Sequence, residues 1–190
     1  MPTPPSPHHR PKAPDAVRQA LLQSASDVIS QRGLAGFTVQ DVARGAGVSK
    51  GALFHHFASK QALLDAALQA VLGQFWDQVQ ALMQADPEPW GRFSRAYVRA
   101  TFDNLLDPAC DSPGFSLGTC FDSALMTPWR AWLRARLAEH PAETSMPRLL
   151  AARCVADGYW LQAYGTPLHG QQRDEAIALS REALRLCTPD

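Results

Sequence analysis

The chain has 190 residues with 18 Lys/Arg and 18 Asp/Glu, so its formal net charge is zero. This length allows one or two domains with a substantial core. No stretch approaches about 18 uninterrupted apolar residues and the N-terminus lacks an apolar signal segment, so no membrane-spanning helix is predicted and a cytoplasmic protein is expected. Residues 1–60 carry seven basic and three acidic side chains, whereas residues 61–190 carry 11 basic and 15 acidic ones. A basic end on an acidic body predicts attraction to nucleic acid through one face.

The first residues predict an unstructured arm followed by a helix. Residues 1–14 contain six prolines, and this composition is typical of a disordered segment. Residues 15–31 carry apolar side chains at helical spacing, which predicts the first helix. The Arg32-Gly33 pair predicts where that helix ends.

Residues 37–64 predict a helix, a tight turn, a second short helix and the start of a third. Thr38 precedes the first of these helices and can cap it by accepting a hydrogen bond from a backbone amide. Gly45 and Gly47 predict the turn, because glycine accepts a left-handed backbone. Ser49 is placed to cap the second helix. This arrangement is typical of a helix-turn-helix, which lays its second helix in the major groove of DNA.

The motifs of this segment resemble the DNA-binding domain of the tetracycline-repressor (TetR) family of bacterial transcriptional regulators. The family pattern is matched, in order, by Thr38, Ala46-Gly47-Val48-Ser49, Lys50-Gly51, Phe54-His55-His56-Phe57, Lys60 and Leu63-Leu64. The chain departs from that pattern at Ala52, where the family usually has Thr or Ser, and in having no Tyr at Phe54 or His55. The resemblance implies a transcriptional regulator. We predict a repressor, although activators share the same pattern.

The outward face of the second helix supplies the predicted DNA contacts. Lys50 can pair with a phosphate or a guanine edge, and the small residues Gly51 and Ala52 let the backbone approach the duplex. His55 adds ring donors, and Lys60 lies at a helix N-terminus that favours phosphate. The predicted set is Ser49, Lys50, Gly51, Ala52, Leu53 and His55, with Thr38, His56 and Lys60 on the phosphates.

Beyond residue 60 the chain predicts a series of further helices. Ser59 can cap a long helix from residue 60 to about residue 84, which joins the DNA-binding end to a second domain. Other helices are predicted at 90–106, 119–126, 128–139, 146–164 and 171–186, with an irregular segment at 107–118. The predicted fold is all-α, with a disordered arm at 1–14, a three-helix helix-turn-helix DNA-binding domain at 15–60, and a helical effector-binding and dimerisation domain at 61–190.

The last two long helices predict a homodimer. Residues 146–164 are apolar on several faces, so a helix there is covered on several sides. The run from Ala156 to Trp160 resembles a segment of some C-terminal domains of the TetR family. That resemblance implies that the last two helices pair across a two-fold axis into a four-helix bundle. A dimer also suits DNA, because two recognition helices must reach successive major grooves of a palindromic operator.

Aromatic side chains predict an effector pocket in the second domain. All five tryptophans and all three tyrosines lie beyond residue 60. Such side chains, with few polar tips among them, suit a small apolar or aromatic molecule. The TetR resemblance implies that a bound effector alters the spacing of the recognition helices. The predicted lining is Trp76, Phe93, Tyr97, Phe121, Met126, Trp129 and Trp160.

Two other functions fit parts of the sequence. Cys110 and Cys120 flank an irregular, glycine-containing segment, so a thiol-based redox-sensing regulator is an alternative. A helical scaffold without DNA binding is another, and loss of salt-sensitive DNA binding on changing Lys50 would exclude it. The sequence contains no G-x-S-x-G, P-loop or H-E-x-x-H motif, so no enzyme, catalytic residue, cofactor or metal site is predicted.

Overall fold

The computed structural model describes residues 14–107, 123–163 and 168–189, except for the side chains of Ser30 and residues 123–126. Within these ranges every regular element is a helix, as predicted for an all-α fold. The helices are α1 (Pro14–Arg32), α2 (Val39–Gly45), α3 (Lys50–His56), α4 (Lys60–Ala85), α5 (Arg92–Leu106), α6 (Ser123–Ala138), α7 (Pro141–Thr144), α8 (Pro147–Ala163) and α9 (Gln171–Leu186). None of the described helices is long and apolar enough to cross a membrane.

Three hydroxyl caps set the starts of α2, α3 and α4. The side-chain oxygens of Thr38, Ser49 and Ser59 each accept a backbone amide hydrogen bond of 3.1 Å from the residue three positions later. Each cap residue has an extended backbone, which stops the helix from continuing backwards. The three predicted caps are therefore confirmed.

Two glycines shape the turn between α2 and α3 in different ways. Gly47 has a φ of +67°, which is the left-handed backbone that the turn requires. Gly45 is instead the last residue of α2, and a Cβ built there would lie 2.2 Å from Oγ of Ser24 on α1. The sequence-based role for Gly45 is thus corrected, because its small size serves the close approach of α2 to α1.

The N-terminal core joins α1, α2, α3 and the first half of α4. Leu21 and Ile29 of α1 and Leu53 of α3 are fully buried in it. Buried residues of α4 belong to this core as far as Leu72. The helix then runs on without interruption and contributes Val79 to a second core. A boundary between residues 60 and 61 remains a prediction, and α4 serves both sides of it.

The C-terminal part is built around α5, which packs against α4, α8 and α9. It begins at Arg92, two residues later than predicted, because Gly91 adopts a φ of +67° and breaks the helical path. A Cβ on Gly91 would also meet the backbone oxygen of Cys187 at 3.0 Å. The predicted break between helices 119–126 and 128–139 is corrected, because the single α6 continues through Pro128. Residues 119–122 of that prediction lie outside the described residues.

Arg95 ties the turn between α4 and α5 to the end of α9. Its Nε donates to Oδ2 of Asp86 at 2.6 Å, and its other nitrogens donate to the backbone oxygens of Glu88, Trp90 and Cys187. The Arg95 side chain is almost buried. A buried guanidinium needs this many acceptors, since each unpaired donor would cost free energy.

Candidate DNA-binding and effector sites

The short helix α3 is anchored by one face and exposed on the other. Leu53 is fully buried and Phe57, which follows the helix, is nearly so. Lys50, Gly51 and His55 are exposed on the other side. The prediction that Leu53 contacts DNA is corrected, because its side chain lies within the N-terminal core.

Phe54 is the exposed α3 residue that sequence reasoning missed. Its side chain is 42% exposed. The Lys50 ammonium lies 5.9 Å from its ring centroid. Helical spacing had the information to find it, because Phe54 follows Leu53 directly and so points away from the face that buries Leu53 and Phe57. Lys50 and Phe54 together form an exposed basic and aromatic surface.

Two of the predicted phosphate contacts are engaged inside the protein. Nζ of Lys60 donates to the backbone oxygen of Phe37 at 2.9 Å and lies 5.4 Å from the centroid of its ring. The Thr38 hydroxyl accepts from the amide of Asp41 and donates to its Oδ2 at 2.6 Å. The Lys60 and Thr38 side chains therefore hold the start of α4 and the start of α2 in place.

Asp41 gathers the charges beside α2. Its carboxylate lies 3.0 Å from Arg32 and 3.1 Å from Arg44, and both arginines remain largely exposed. The hydrogen bond from Thr38 is the main cause that lowers the pKa of Asp41. Burial opposes it, and the charges of Arg32 and Arg44 lower the pKa further. The remaining predicted DNA contacts also lie at this end: Ser49 is exposed, and Ala52 and His56 are half-buried.

Five aromatic rings form a closed circuit in the C-terminal part. The neighbouring ring centroids are 5.4–6.3 Å apart, within the range in which aromatic pairs attract. Taken in order around the circuit, the rings belong to Phe75, Tyr97, Phe93, Trp76 and Trp132. The aromatic circuit thus joins three helices, α4, α5 and α6.

The predicted effector residues are only partly brought together. Trp76, Phe93 and Tyr97 belong to the aromatic circuit, whereas Trp129 packs against the N-terminal core and Trp160 lies half-buried on α8. Phe121 and the side chain of Met126 lie outside the described residues. The other two circuit members, Phe75 and Trp132, were missed. Trp132 follows Trp129 by three residues, so it lies on a neighbouring position of the same helix face.

A charged network lies beside the aromatic circuit. The carboxylate of Glu143 accepts from the backbone amides of Phe93 and Ser94, at 3.0 and 2.9 Å, and from the Ser94 hydroxyl at 2.6 Å. Ser94 in turn accepts from the guanidinium of Arg153. Glu143, Ser94 and Arg153 are all buried. Glu143 therefore caps the start of α5 from α7 and lies within a network that includes a buried cation.

Tyr97 connects the circuit to a second carboxylate, since its hydroxyl donates to Oδ1 of Asp157 at 2.6 Å. Burial raises the pKa of Asp157 to about 6, although the Tyr97 hydrogen bond and the charge of Arg153 oppose that rise. Burial also raises the pKa of Tyr97 well above its usual value, and the Asp157 charge adds to the effect. At Asp157 the effect of burial therefore outweighs the opposing effects of Tyr97 and Arg153.

An open groove separates α8 from α9. It encloses about 570 Å³ and is lined by Cys154, Val155, Gly158, Tyr159, Gln162, Glu175, Ala178 and Leu179. Leu150 and Leu179 are 50% and 37% exposed, so the same helices carry apolar side chains in contact with water.

Two of the four cysteines lie within the described residues and two lie outside them. Cys110 and Cys120 lie outside the described residues. Cys154 is exposed in the groove between α8 and α9, and Cys187 is buried. Burial raises the pKa of the Cys187 thiol to about 11. In the described ranges there is no group of three or more His, Cys, Asp or Glu side chains that could hold a metal ion.

Two bacterial transcriptional regulators each match slightly less than half of the chain. The transcriptional repressor KstR2 of Mycobacterium tuberculosis is 34% identical over 88 residues, which are 46% of this chain and 44% of the relative. The transcriptional regulator BetI of Rhizobium meliloti is 39% identical over 85 residues, which are 45% of this chain and 41% of BetI. The matched region thus spans less than half the length of either relative.

Solved structures match over nearly the whole chain. The multidrug binding protein EbrR, in complex with malachite green, superposes with a TM-score of 0.69 at 25% identity and covers 90% of this chain and 98% of its own. The model for bacterial regulatory proteins of the tetR family matches residues 21–67, and the model for the tetracyclin repressor-like C-terminal domain matches residues 91–181. These two models together account for most of the chain. The chain therefore belongs to the TetR family, a family of bacterial transcriptional regulators rather than enzymes.

Proposed function

We propose that this chain is a cytoplasmic, homodimeric transcriptional repressor that binds a palindromic DNA operator and leaves it when a small molecule binds the C-terminal part. The observation that carries the proposal is α3, a capped helix anchored by buried Leu53 that presents an exposed basic and aromatic face. Family membership and the KstR2 and BetI matches support a DNA-binding regulator. The EbrR complexes with malachite green and ethidium support a small-molecule effector.

In this proposal α3 enters the major groove. Lys50 and His55 approach base edges or phosphates, and Gly51 and half-buried Ala52 let the backbone come close. Exposed Phe54 replaces Leu53 as the apolar contact, and an aromatic ring at this place suits a thymine methyl group. Thr38 and Lys60 act indirectly, because their internal hydrogen bonds position α2 and the start of α4. Arg44, which is 70% exposed, adds a cation at the end of α2.

The proposed dimer pairs α8 and α9 with the same helices of a second copy. What supports it is the apolar groove between these helices together with the exposed side chains of Leu150 and Leu179. An exposed apolar surface of this kind is typical of a protein interface. A two-fold dimer would present two copies of α3 to successive major grooves, which is the geometry that a palindromic operator requires.

Helix α6 offers a physical link between effector and DNA. Trp129 and Trp132 both pack against the N-terminal core, and Trp132 also belongs to the aromatic circuit. A ligand that binds at the circuit therefore acts on a side chain that touches the DNA-binding end. The ligand shifts the equilibrium only if it prefers one of the two arrangements of α6.

The test begins with purified protein and fragmented genomic DNA, followed by sequencing of the fragments retained at several salt concentrations. We expect enrichment of a palindromic site. Lys50→Ala should then weaken binding to that site by about 1–3 kcal/mol and reduce the salt dependence. Arg99→Ala, which removes an exposed cation from α5, is the control matched in charge.

The proposal fails if no site is enriched or if Lys50→Ala and Arg99→Ala leave binding equally unchanged. The oligomeric state is measured in parallel by analytical ultracentrifugation. Leu179→Arg should convert a dimer to monomers and abolish tight binding to the palindrome. A wild-type monomer that still binds the full site tightly would contradict the homodimer.

A further inference from the structure

Most Lys and Arg side chains of the N-terminal part are engaged inside the protein. Arg32 and Arg44 each form an ion pair with the same carboxylate, and Nζ of Lys60 donates to a backbone oxygen. Two of these side chains in residues 14–60 have neither an ion pair nor a hydrogen bond, namely Lys50 and Arg18. Lys50 is one of the predicted DNA contacts, whereas Arg18, which lies on α1, is outside that set.

An aromatic ring holds Arg18 at the end of α3. Its guanidinium lies 4.6 Å from the ring centroid of Phe57, the residue that follows the last turn of α3. Phe57 is buried, whereas Arg18 is exposed. A ring face attracts a cation through its quadrupole, and a planar guanidinium suits this contact. The ring therefore places an exposed cation at the C-terminal end of α3, although that cation belongs to α1.

Lys50 provides a similar pair at the other end of α3. It is the first residue of the helix, and its ammonium lies 5.9 Å from the ring centroid of Phe54. Lys50 and Phe57 are about 10 Å apart along the helix axis, at about 1.5 Å per residue. The major groove of DNA is about 12 Å wide. A helix of this length within the groove has both ends close to the phosphates that border it.

We propose that Arg18 binds a phosphate of the DNA backbone beside α3, so that α1 contributes to the DNA interface. This inference rests on the proposed function and adds a contact to it. Leu53 and Phe57 mark the buried face of α3, so a guanidinium over Phe57 lies beside this helix and not on its outward face. The base edges are left to the outward face, and the backbone is what Arg18 can reach. A guanidinium also matches a phosphate by donating two parallel hydrogen bonds.

Arg18 is better prepared for such a contact than the two other arginines of the N-terminal part. Arg32 and Arg44 would have to weaken their ion pairs with Asp41 to bind a phosphate. In the described part of the chain no carboxylate lies within ion-pair distance of Arg18, so its binding breaks no such pair. The Phe57 ring also restricts its side chain before DNA arrives, which lowers the entropy lost on binding. A phosphate contact of this kind adds affinity without sequence preference.

The test measures the affinity of the full chain for the enriched operator and for an unrelated duplex of equal length, by fluorescence anisotropy at several salt concentrations. Arg18→Gln removes the charge and retains a long polar side chain. It should weaken binding to both duplexes by the same factor and lower the salt slope by about 1 per subunit. Arg99→Gln, which removes an exposed cation from α5, is the matched control and should change neither quantity.

Two further variants separate a phosphate contact from a structural role. Arg18→Lys retains the positive charge and should retain the salt slope. Arg18→Met retains an apolar stem against Phe57 and should lose the slope as Arg18→Gln does. It also keeps an uncharged variant available if Arg18→Gln does not fold. A structural role would lower the melting temperature and the affinity while leaving the salt slope at its wild-type value.

A second measurement identifies the phosphate itself. Single phosphates of the operator are replaced in turn by neutral methylphosphonates. In each half-site, replacement of one phosphate should weaken binding of the wild type and have no effect on the uncharged Arg18 variants, because the partner of that phosphate is already absent. Arg99→Gln should show the wild-type pattern at every position.

The inference is overturned if the uncharged Arg18 variants keep the wild-type salt slope, or if every methylphosphonate that weakens the wild type weakens these variants equally. Lys50→Ala separates this failure from that of the proposed function. A reduced slope for Lys50→Ala with a wild-type slope for Arg18→Gln removes only the Arg18 contact. A wild type that enriches no operator removes the regulator itself.

Discussion

The two halves of the chain obtain their geometry from interactions of very different range. In the N-terminal half, α2, α3 and α4 each begin with a hydroxyl that caps its own helix at 3.1 Å. In the C-terminal half, α5 begins with amides that donate to Glu143, a residue 50 positions away from Phe93. The N-terminal half is thus assembled from local contacts, whereas the C-terminal half depends on distant charged partners. A substitution in the C-terminal half should therefore disturb residues more distant in the sequence than a substitution in the N-terminal half.

The largest expected effect tests this difference at Glu143. Glu143→Ala removes the acceptor of three hydrogen bonds and leaves the buried Arg153 charge without it. Breaking a buried charged pair costs about 3–5 kcal/mol, so urea-induced unfolding should move to much lower denaturant.

The matched control is Glu139→Gln, which removes the carboxylate of a partly exposed ion pair with Arg136 on α6. Such pairs contribute about 0–1 kcal/mol. If both variants lost the same free energy of unfolding, the buried network would contribute no more than a surface ion pair. The proposed difference between the two halves would then be wrong.

The next effect depends on pH and tests whether an ionised carboxylate in the C-terminal half lowers the free energy of unfolding. The folded-state pKa of Asp157 is about 6 against an ordinary value of 3.8. The folded protein therefore binds a proton that the unfolded chain has already lost, and Asp157 destabilises the fold progressively as the pH rises from about 4 to about 6. Above that range the penalty is complete, at most about 3 kcal/mol.

Asp157→Asn removes this penalty while retaining an oxygen for the Tyr97 hydroxyl. Its free energy of unfolding relative to wild type should increase between pH 4 and pH 7, measured by chemical denaturation in buffers of constant ionic strength. Burial causes this rise in the pKa of Asp157, and Tyr97 on α5 and Arg153 on α8 are the described groups that oppose it. A difference that stays flat over this range would mean that Asp157 is ionised as easily as in water.

The smallest expected effect is local and concerns the N-terminal cap of α3. Ser49→Ala removes the cap of α3 and should cost about 1 kcal/mol, seen as a small drop in the melting temperature. Because α3 is only seven residues long, its first turn should fray and operator affinity should fall as well.

Ser26→Ala, within α1, serves as the comparison, since alanine is at least as favourable as serine inside a helix. It should leave both stability and affinity close to those of wild type. If Ser49→Ala keeps full operator affinity, the start of α3 does not depend on its cap when DNA is bound.

The same contrast explains what could be predicted from the sequence. The caps at Thr38, Ser49 and Ser59 depend on neighbouring residues, so the starts of three helices were predicted correctly. The single helix α6 was missed because Pro128 normally ends a helix, and here the helix continues through it. The assignment of Leu53 to DNA failed because a motif names positions in a helix but does not say which of them face the core.

The aromatic circuit was less predictable from the sequence for a physical reason. Helical spacing shows that Phe93 and Tyr97 share a face of α5, but it cannot show that Trp132 of α6 closes a circuit with Phe75 and Trp76 of α4. The bond between Tyr97 and Asp157 joins residues 60 positions apart. Such contacts depend on how whole helices pack, and one sequence without that packing contains no local sign of them.

Arg95 gives the long helix α4 a fixed pivot. By holding Asp86 and the backbone of Cys187 together, it fastens the far end of α4 to the end of α9. With 26 residues at 1.5 Å each, α4 is a lever about 39 Å long. A tilt of one degree about that pivot carries its other end by about 0.7 Å. Under the proposed function, a slight rotation of α4 would be enough to move α3 by a distance that matters for hydrogen bonds to DNA.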